Sequence, residues 1–128
     1  MKTTILHLRS FALILIIMLA LDVVYLSLFK SFFNKIVKNI QGSNINLKLK
    51  GAFMSYIIMG ISVYYFLVLK NASNIDAFLL GMFIYGIFEL TNYSIFVKWP
   101  LRAVGLELLW GGLLYLFTYV LYKKITGI

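Results

Sequence analysis

The chain has 128 residues, of which 62% are apolar and only 12% are charged, and its mean hydropathy is +0.96. These values exclude an ordinary water-soluble domain, whose surface carries many more charged side chains. The net charge of +8 does not indicate nucleic-acid binding, because Lys and Arg stand mainly at the ends of apolar runs or between them, as at a membrane surface. We therefore predict a single all-α integral membrane domain over residues 1–128, with the lipid bilayer as its partner and no nucleic acid.

The first predicted membrane span covers residues 11–29, an apolar run whose only charge is Asp22. About 20 apolar residues suffice for a helix to cross a bilayer. Tyr25 follows Asp22 by three residues and lies on the same side of the helix. The solitary His7 and the absence of cysteine give no metal-ligand set, so we expect neither a metal nor a cofactor.

The segment that follows, residues 30–40, has the pattern of an amphipathic helix. Phe32 and Phe33 belong to an apolar series at helical spacing, whereas Lys35 and Lys38 occupy the other face. Such a helix is expected to lie in the membrane interface. Two roles remain open for it, a surface tether for the first span and recognition of anionic lipid.

Three further apolar runs predict the second, third and fourth spans, at residues 51–69, 77–97 and 101–122. The third and fourth are joined by a very short connection around Lys98, Trp99 and Arg102, whose side chains are typical anchors at a membrane interface. Pro100 in this connection suits the start of a helix. Because so short a turn requires antiparallel neighbours, we predict an up-down bundle of four transmembrane helices.

Small residues in the third and fourth spans are expected to lie where helices pack closely. Gly81 lies in the third span, and Gly111 and Gly112 lie in the fourth beside Trp110. Residues without a bulky side chain allow two helix backbones to approach each other. Gly111 also follows Glu107 by four residues, so another backbone or a small ligand has room to approach that face.

Three of the four acidic residues fall inside predicted spans, namely Asp22, Glu89 and Glu107. Carboxylates normally collect in loops, because hydrocarbon disfavours charge. With a rise of about 1.5 Å per residue, the three acids lie roughly 16 to 20 Å from the membrane face that carries the termini. They therefore share one layer, and no Lys or Arg lies deep enough to balance their charge, so they are not expected to be ionised together.

Other polar side chains fit the same depth. Tyr85, Glu89 and Asn92 stand at positions i, i+4 and i+7 of the third span, which places them on one stripe. We refer to the predicted set as the polar layer, and its members are Tyr25, Asp22, Tyr85, Glu89, Asn92 and Glu107.

The polar layer predicts a small transporter or channel that moves protons or another small cation. A single bundle of four helices offers little room for a pore, so a homo-oligomer with a lumen between protomers is expected. The alternative is a structural or assembly protein whose buried acids only fix helix packing. A second alternative, an intramembrane enzyme acting on lipid, has no nucleophile, histidine or metal constellation to support it.

Three segments resemble the signature segments of a four-span membrane family known as domain-of-unknown-function 2177. They are LDVVYL at 21–26, YGIFELTNYSIFVKWPLR at 85–102 and LELLWGG at 106–112. The resemblance implies the same four-span fold and picks out the residues at the matching positions, which are Asp22, Glu89, Thr91, Asn92, Glu107, Trp110 and Gly111. Tyr25 stands where the family usually has tryptophan, and Glu89 and Glu107 stand where aspartate is usual. The family has no assigned activity, so the resemblance implies no reaction.

Overall fold

The computed structural model describes residues 1–128, and all of its regular structure is helical. The four helices are α1 (Lys2–Gln41), α2 (Leu49–Val68), α3 (Asn74–Ile95) and α4 (Leu101–Thr126). The last turn of α2, Tyr64–Val68, is wound as a π-helix. All four helices are long and apolar enough to cross a bilayer, which confirms the predicted all-α class with four membrane-spanning helices.

Helix α1 is continuous for 40 residues, a length of about 60 Å, which is twice the thickness of the hydrocarbon core. The structure differs here from the expectation of a separate interfacial helix, because residues 30–40 are the last turns of α1. No glycine or proline interrupts the chain from Phe11 to Gln41. The helix ends only at Gly42, whose φ of 79° gives the left-handed conformation that a helix C-terminus favours.

The last turns of α1 pack against the connection between α3 and α4. Ile36 is buried, the Arg102 guanidinium lies 5.6 Å from the centre of the Phe32 ring, and the Lys98 amine donates a hydrogen bond of 3.4 Å to the Asn39 carbonyl. This end of α1 is therefore covered in part by protein. The remaining residues of the amphipathic pattern divide as expected, with Phe33 half-buried and Lys35 and Lys38 exposed.

The closest helix packing joins α3 and α4. A methyl group at Gly81 would lie 2.1 Å from the Gly111 carbonyl oxygen, and one at Gly111 would lie 2.4 Å from the Tyr85 ring. A methyl group at Gly112 would likewise meet the Phe78 ring at 2.6 Å. Only glycine permits this approach of two helices.

Helix α1 packs against both α4 and α2, whereas α2 and α3 make little direct contact. Neighbouring helices are therefore in contact on three sides of the bundle, most closely between α3 and α4, and are nearly out of contact on the fourth side.

Candidate functional site

Asp22 is held at the junction of three helices. It is 6% exposed, and its carboxylate accepts a hydrogen bond of 2.9 Å from the Trp110 indole on α4. The Tyr56 hydroxyl on α2 donates a second hydrogen bond to the other carboxylate oxygen. Two neutral donors from two different helices therefore fix Asp22 in place.

Glu89 is held by a residue from the connection between α3 and α4. It is 1% exposed, and one of its oxygens accepts a hydrogen bond of 2.7 Å from the Trp99 indole. Trp99 was expected to anchor the chain among lipid headgroups, but its indole N–H points back to α3. The chain leaves the helix at Phe96, which has extended backbone angles, and this break lets Trp99 turn toward Glu89.

Glu107 is the most open of the three acids. It is half-buried on α4, and no indole or hydroxyl meets its carboxylate with normal hydrogen-bond geometry, although the Tyr25 hydroxyl lies close to it. Glu107 lines a cavity of about 370 Å³ between α2 and α3. The other residues around this α2–α3 cavity are Ser55, Ile58, Met59, Ile84, Tyr85 and Phe88.

Two of the acids act electrostatically on the third. Glu107 lies within Coulombic range of both Glu89 and Asp22. The donors to Asp22 and Glu89 are indole and phenol groups, which are neutral and supply no counter-charge. Neutral polar side chains thus surround the carboxyl groups of the layer, but no Lys or Arg side chain neutralises their charge.

The other members of the predicted polar layer have different surroundings. Tyr25 stacks on the Trp110 ring with a centroid distance of 4.6 Å, and its buried hydroxyl has no hydrogen-bond partner. Tyr85 is half-buried beside Glu107 in the wall of the α2–α3 cavity. Asn92 is buried at 9% exposure, but it is not among the groups that hydrogen-bond to the acids.

A column of tyrosine hydroxyl groups, not foreseen from the sequence, runs from the polar layer toward the termini. Tyr115, Tyr119 and Tyr122 stand at i, i+4 and i+7 of α4 and are all buried. The Tyr115 hydroxyl is 2.7 Å from the Ser62 hydroxyl of α2, and the Tyr122 hydroxyl donates to the Ser10 hydroxyl of α1 at 2.9 Å. The spacing of the tyrosines along one face of the fourth span was the signal that could have found them.

Two features complete the column at its outer end. The Tyr119 hydroxyl shares its proton between the carbonyl of Ala72 at 2.6 Å and that of Leu67 at 3.1 Å, and the Leu67 carbonyl also accepts from the Ala72 N–H. Beyond it, His7 near the start of α1 hydrogen-bonds to the Tyr64 hydroxyl. Hydroxyl groups thus extend from α4 to the face of the bundle that carries the termini.

No group of three or more His, Cys, Asp or Glu side chains is arranged to hold a metal ion. Asp76, the fourth acid, lies outside the layer. It closes a capping box with Ser73 at the start of α3, in which each side chain bonds to the other residue's backbone N–H.

Comparison with known families supports the resemblance noted in the sequence. A family model described as "Predicted membrane protein (DUF2177)" matches residues 7–122, a range that includes most of all four helices and every residue of the polar layer. No curated protein and no solved structure matches the chain. The match places the chain in a family of membrane proteins, and the description of that family names no activity.

Proposed function

The chain belongs to the membrane-protein family described as DUF2177, and from this premise we propose that it transports protons or another small cation, with Glu107 as the exchanging acid. The protein is a multi-pass integral membrane protein. Its reaction has to be argued from the polar layer, because the family description names none.

The observation that carries the proposal is the difference between Glu107 and the other two acids. Asp22 and Glu89 are buried and accept hydrogen bonds from fixed indole or phenol donors. Glu107 faces a cavity, and its carboxylate accepts no hydrogen bond of normal geometry, although the Tyr25 hydroxyl lies close to it. An acid that binds and releases a cation has to be reachable and free to change partners, and only Glu107 meets both conditions.

The neighbouring acids favour a cation at Glu107. Opposite charges attract more strongly in a medium of low dielectric constant than in water. Asp22 and Glu89 are both close enough to Glu107 to interact with it electrostatically. A cation bound at Glu107 is therefore stabilised by more than one carboxyl group. Fixing the two neighbours with neutral donors keeps their oxygens in place without supplying a competing positive charge.

The tyrosine column is the proposed route between Glu107 and the face with the termini. A hydroxyl group both donates and accepts hydrogen bonds. The three tyrosines bond to Ser62, to backbone carbonyls and to Ser10 and not to one another, so water molecules between them would complete the proposed proton path. Tyr85 lines the α2–α3 cavity together with Glu107, and its hydroxyl is within electrostatic range of Asp22, Glu107 and Tyr115. Tyr115 is therefore the first member of the column after the polar layer.

A complete passage across the membrane is proposed to need a second copy of the chain. Glu89 is 1% exposed, so the bundle alone is closed on the side of the Trp99 connection. A homo-oligomer would supply a lumen between protomers, in keeping with the small size of one bundle. The exposed amines of Lys35 and Lys38 are proposed to contact anionic lipid headgroups.

A structural role for the acids is the second candidate, and the bonds of Asp22 favour it. Hydrogen bonds to Trp110 and Tyr56 tie three helices together through one carboxylate. Under this alternative the acids stabilise the bundle and transport no cation. Glu107 makes no such hydrogen bond, so its replacement would leave the stability of the bundle unchanged.

The test is proton flux into liposomes that contain the purified protein, an internal pH-sensitive dye and a potassium diffusion potential. We expect Glu107→Gln to reduce flux to the level of protein-free liposomes. Gly105→Ala is the matched control on the same helix, because a methyl group there has no neighbour within 4 Å. Wild-type flux no greater than that of protein-free liposomes would reject transport and leave the structural role. Wild-type flux that Glu107→Gln fully retains would reject Glu107 as the exchanging acid.

A further inference from the structure

The α2–α3 cavity combines one carboxylate with an apolar, partly aromatic wall. Glu107 is its only charged residue, and the Tyr85 and Phe88 rings stand near it. Its volume of about 370 Å³ lies within the range of small-molecule sites, roughly 300 to 1,000 Å³. An acid beside aromatic rings is suited to an organic cation, because both the negative charge and the ring faces attract it.

The cavity faces the lipid. Ile58 of α2 is 65% exposed and Phe88 of α3 is 62% exposed, and both line the cavity. Their exposed surfaces belong to membrane-spanning helices, so in the bilayer they contact acyl chains. Since α2 and α3 make little direct contact, a molecule dissolved in the bilayer reaches Glu107 by passing between these two helices.

We propose that the α2–α3 cavity binds a lipophilic amine that enters sideways from the bilayer, with its ammonium group at Glu107 and its apolar body along Ile58, Met59 and Ile84. The inference rests on the proposed role of Glu107 and names the substrate class of that site.

The charge distribution favours this lateral route over an aqueous one. The ends of the helices nearest the connection between α3 and α4 carry many basic residues, namely Lys30, Lys35, Lys38, Lys48, Lys50, Lys98 and Arg102. Such a surface repels a cation that approaches through water. A molecule already dissolved among the acyl chains avoids most of this repulsion, since it approaches Glu107 from the side of the bundle.

The experiment measures binding of phenylbutylamine by calorimetry to the full-length protein in phosphatidylcholine nanodiscs, with empty nanodiscs as background. Phenylbutanol, in which a hydroxyl replaces the amine, is the neutral probe. We expect saturable binding of the amine to the wild type and to Gly105→Ala. Glu107→Gln should weaken it at least about tenfold, as expected for loss of a desolvated charge contact, and phenylbutanol should show no saturable binding.

A second variant provides a test that remains valid even if Glu107→Gln does not fold. Ser55 lines the cavity from α2 and is exposed, so Ser55→Phe fills the opening without altering an acid, and it should also weaken amine binding. The inference is overturned if the amine binds the wild type and both variants equally. It is also overturned if phenylbutanol binds as tightly as the amine, which would indicate a neutral lipid hydroxyl as the ligand.

The outcomes separate this inference from the proposed transport. Amine binding that depends on Glu107, without proton flux that depends on Glu107, would reject the transport and retain the site. Flux that depends on Glu107, without amine binding, would retain the transport and reject the site.

Discussion

Replacing Gly81 with alanine tests the close packing that positions the polar layer. The new methyl group would lie 2.1 Å from the Gly111 carbonyl oxygen and 2.7 Å from the Tyr115 side chain. The first neighbour is backbone and cannot rotate away, so α3 and α4 must separate by about 1 Å before the contact becomes normal. Overpacking of this kind typically destabilises a protein by about 1 to 3 kcal/mol. Because a backbone atom is the obstacle, we expect a value near the upper end, about 3 kcal/mol.

The assay is reversible unfolding of the purified protein in mixed micelles, followed by circular dichroism. Gly105→Ala is the matched control, since it makes the same substitution on a helix at a position with open space. We expect it to be neutral or stabilising by up to about 1 kcal/mol, because alanine favours a helix more than glycine does. Equal stability of the two variants would refute the inferred contact between α3 and α4.

The donors to the buried acids give two more predictions. Tyr56→Phe removes one of the two donors to Asp22 and should lower the free energy of unfolding by about 1 to 2 kcal/mol; Tyr93→Phe, at a side chain 47% exposed, is the control expected to change little. Trp99→Phe keeps an aromatic ring but leaves Glu89 without its indole donor, and should lower the same free energy by about 1 to 3 kcal/mol. Unchanged unfolding of Tyr56→Phe or Trp99→Phe in the same micelles would show that the corresponding hydrogen bond contributes nothing to stability.

The helical class and the close approach of α3 and α4 follow from patterns that a membrane imposes on sequence. Long apolar runs predict spans because each backbone polar group must be satisfied within its own helix. The turn around Pro100 is short enough to require antiparallel neighbours, and the structure indeed places Gly81 against Gly111. The structure of the last turns of α1 was harder to predict, because an amphipathic pattern fits a helix that lies on lipid as well as one that is covered by protein. Without a glycine or proline before Gly42, the helix simply continues.

The candidate site was only partly accessible to sequence reasoning. Helical rise predicted similar depths for Asp22, Glu89 and Glu107, and in the structure Asp22 and Glu89 both lie within electrostatic range of Glu107. The partners of each acid depend on which faces of the helices meet. The indole of Trp99 therefore had no visible target in the sequence, and Tyr56 gave no sign that it reaches Asp22. The α2–α3 cavity likewise arises from loose packing between two helices, which no single segment encodes.

The central claim is that Glu107 exchanges the transported cation while Glu89 stays fixed. The most direct measurement is proton flux through Glu107→Gln and Glu89→Gln in liposomes prepared with equal amounts of folded protein. We expect Glu107→Gln to abolish flux and Glu89→Gln, whose amide oxygen still accepts the Trp99 indole N–H, to retain most of it. Flux that survives in Glu107→Gln and is lost in Glu89→Gln would contradict the claim.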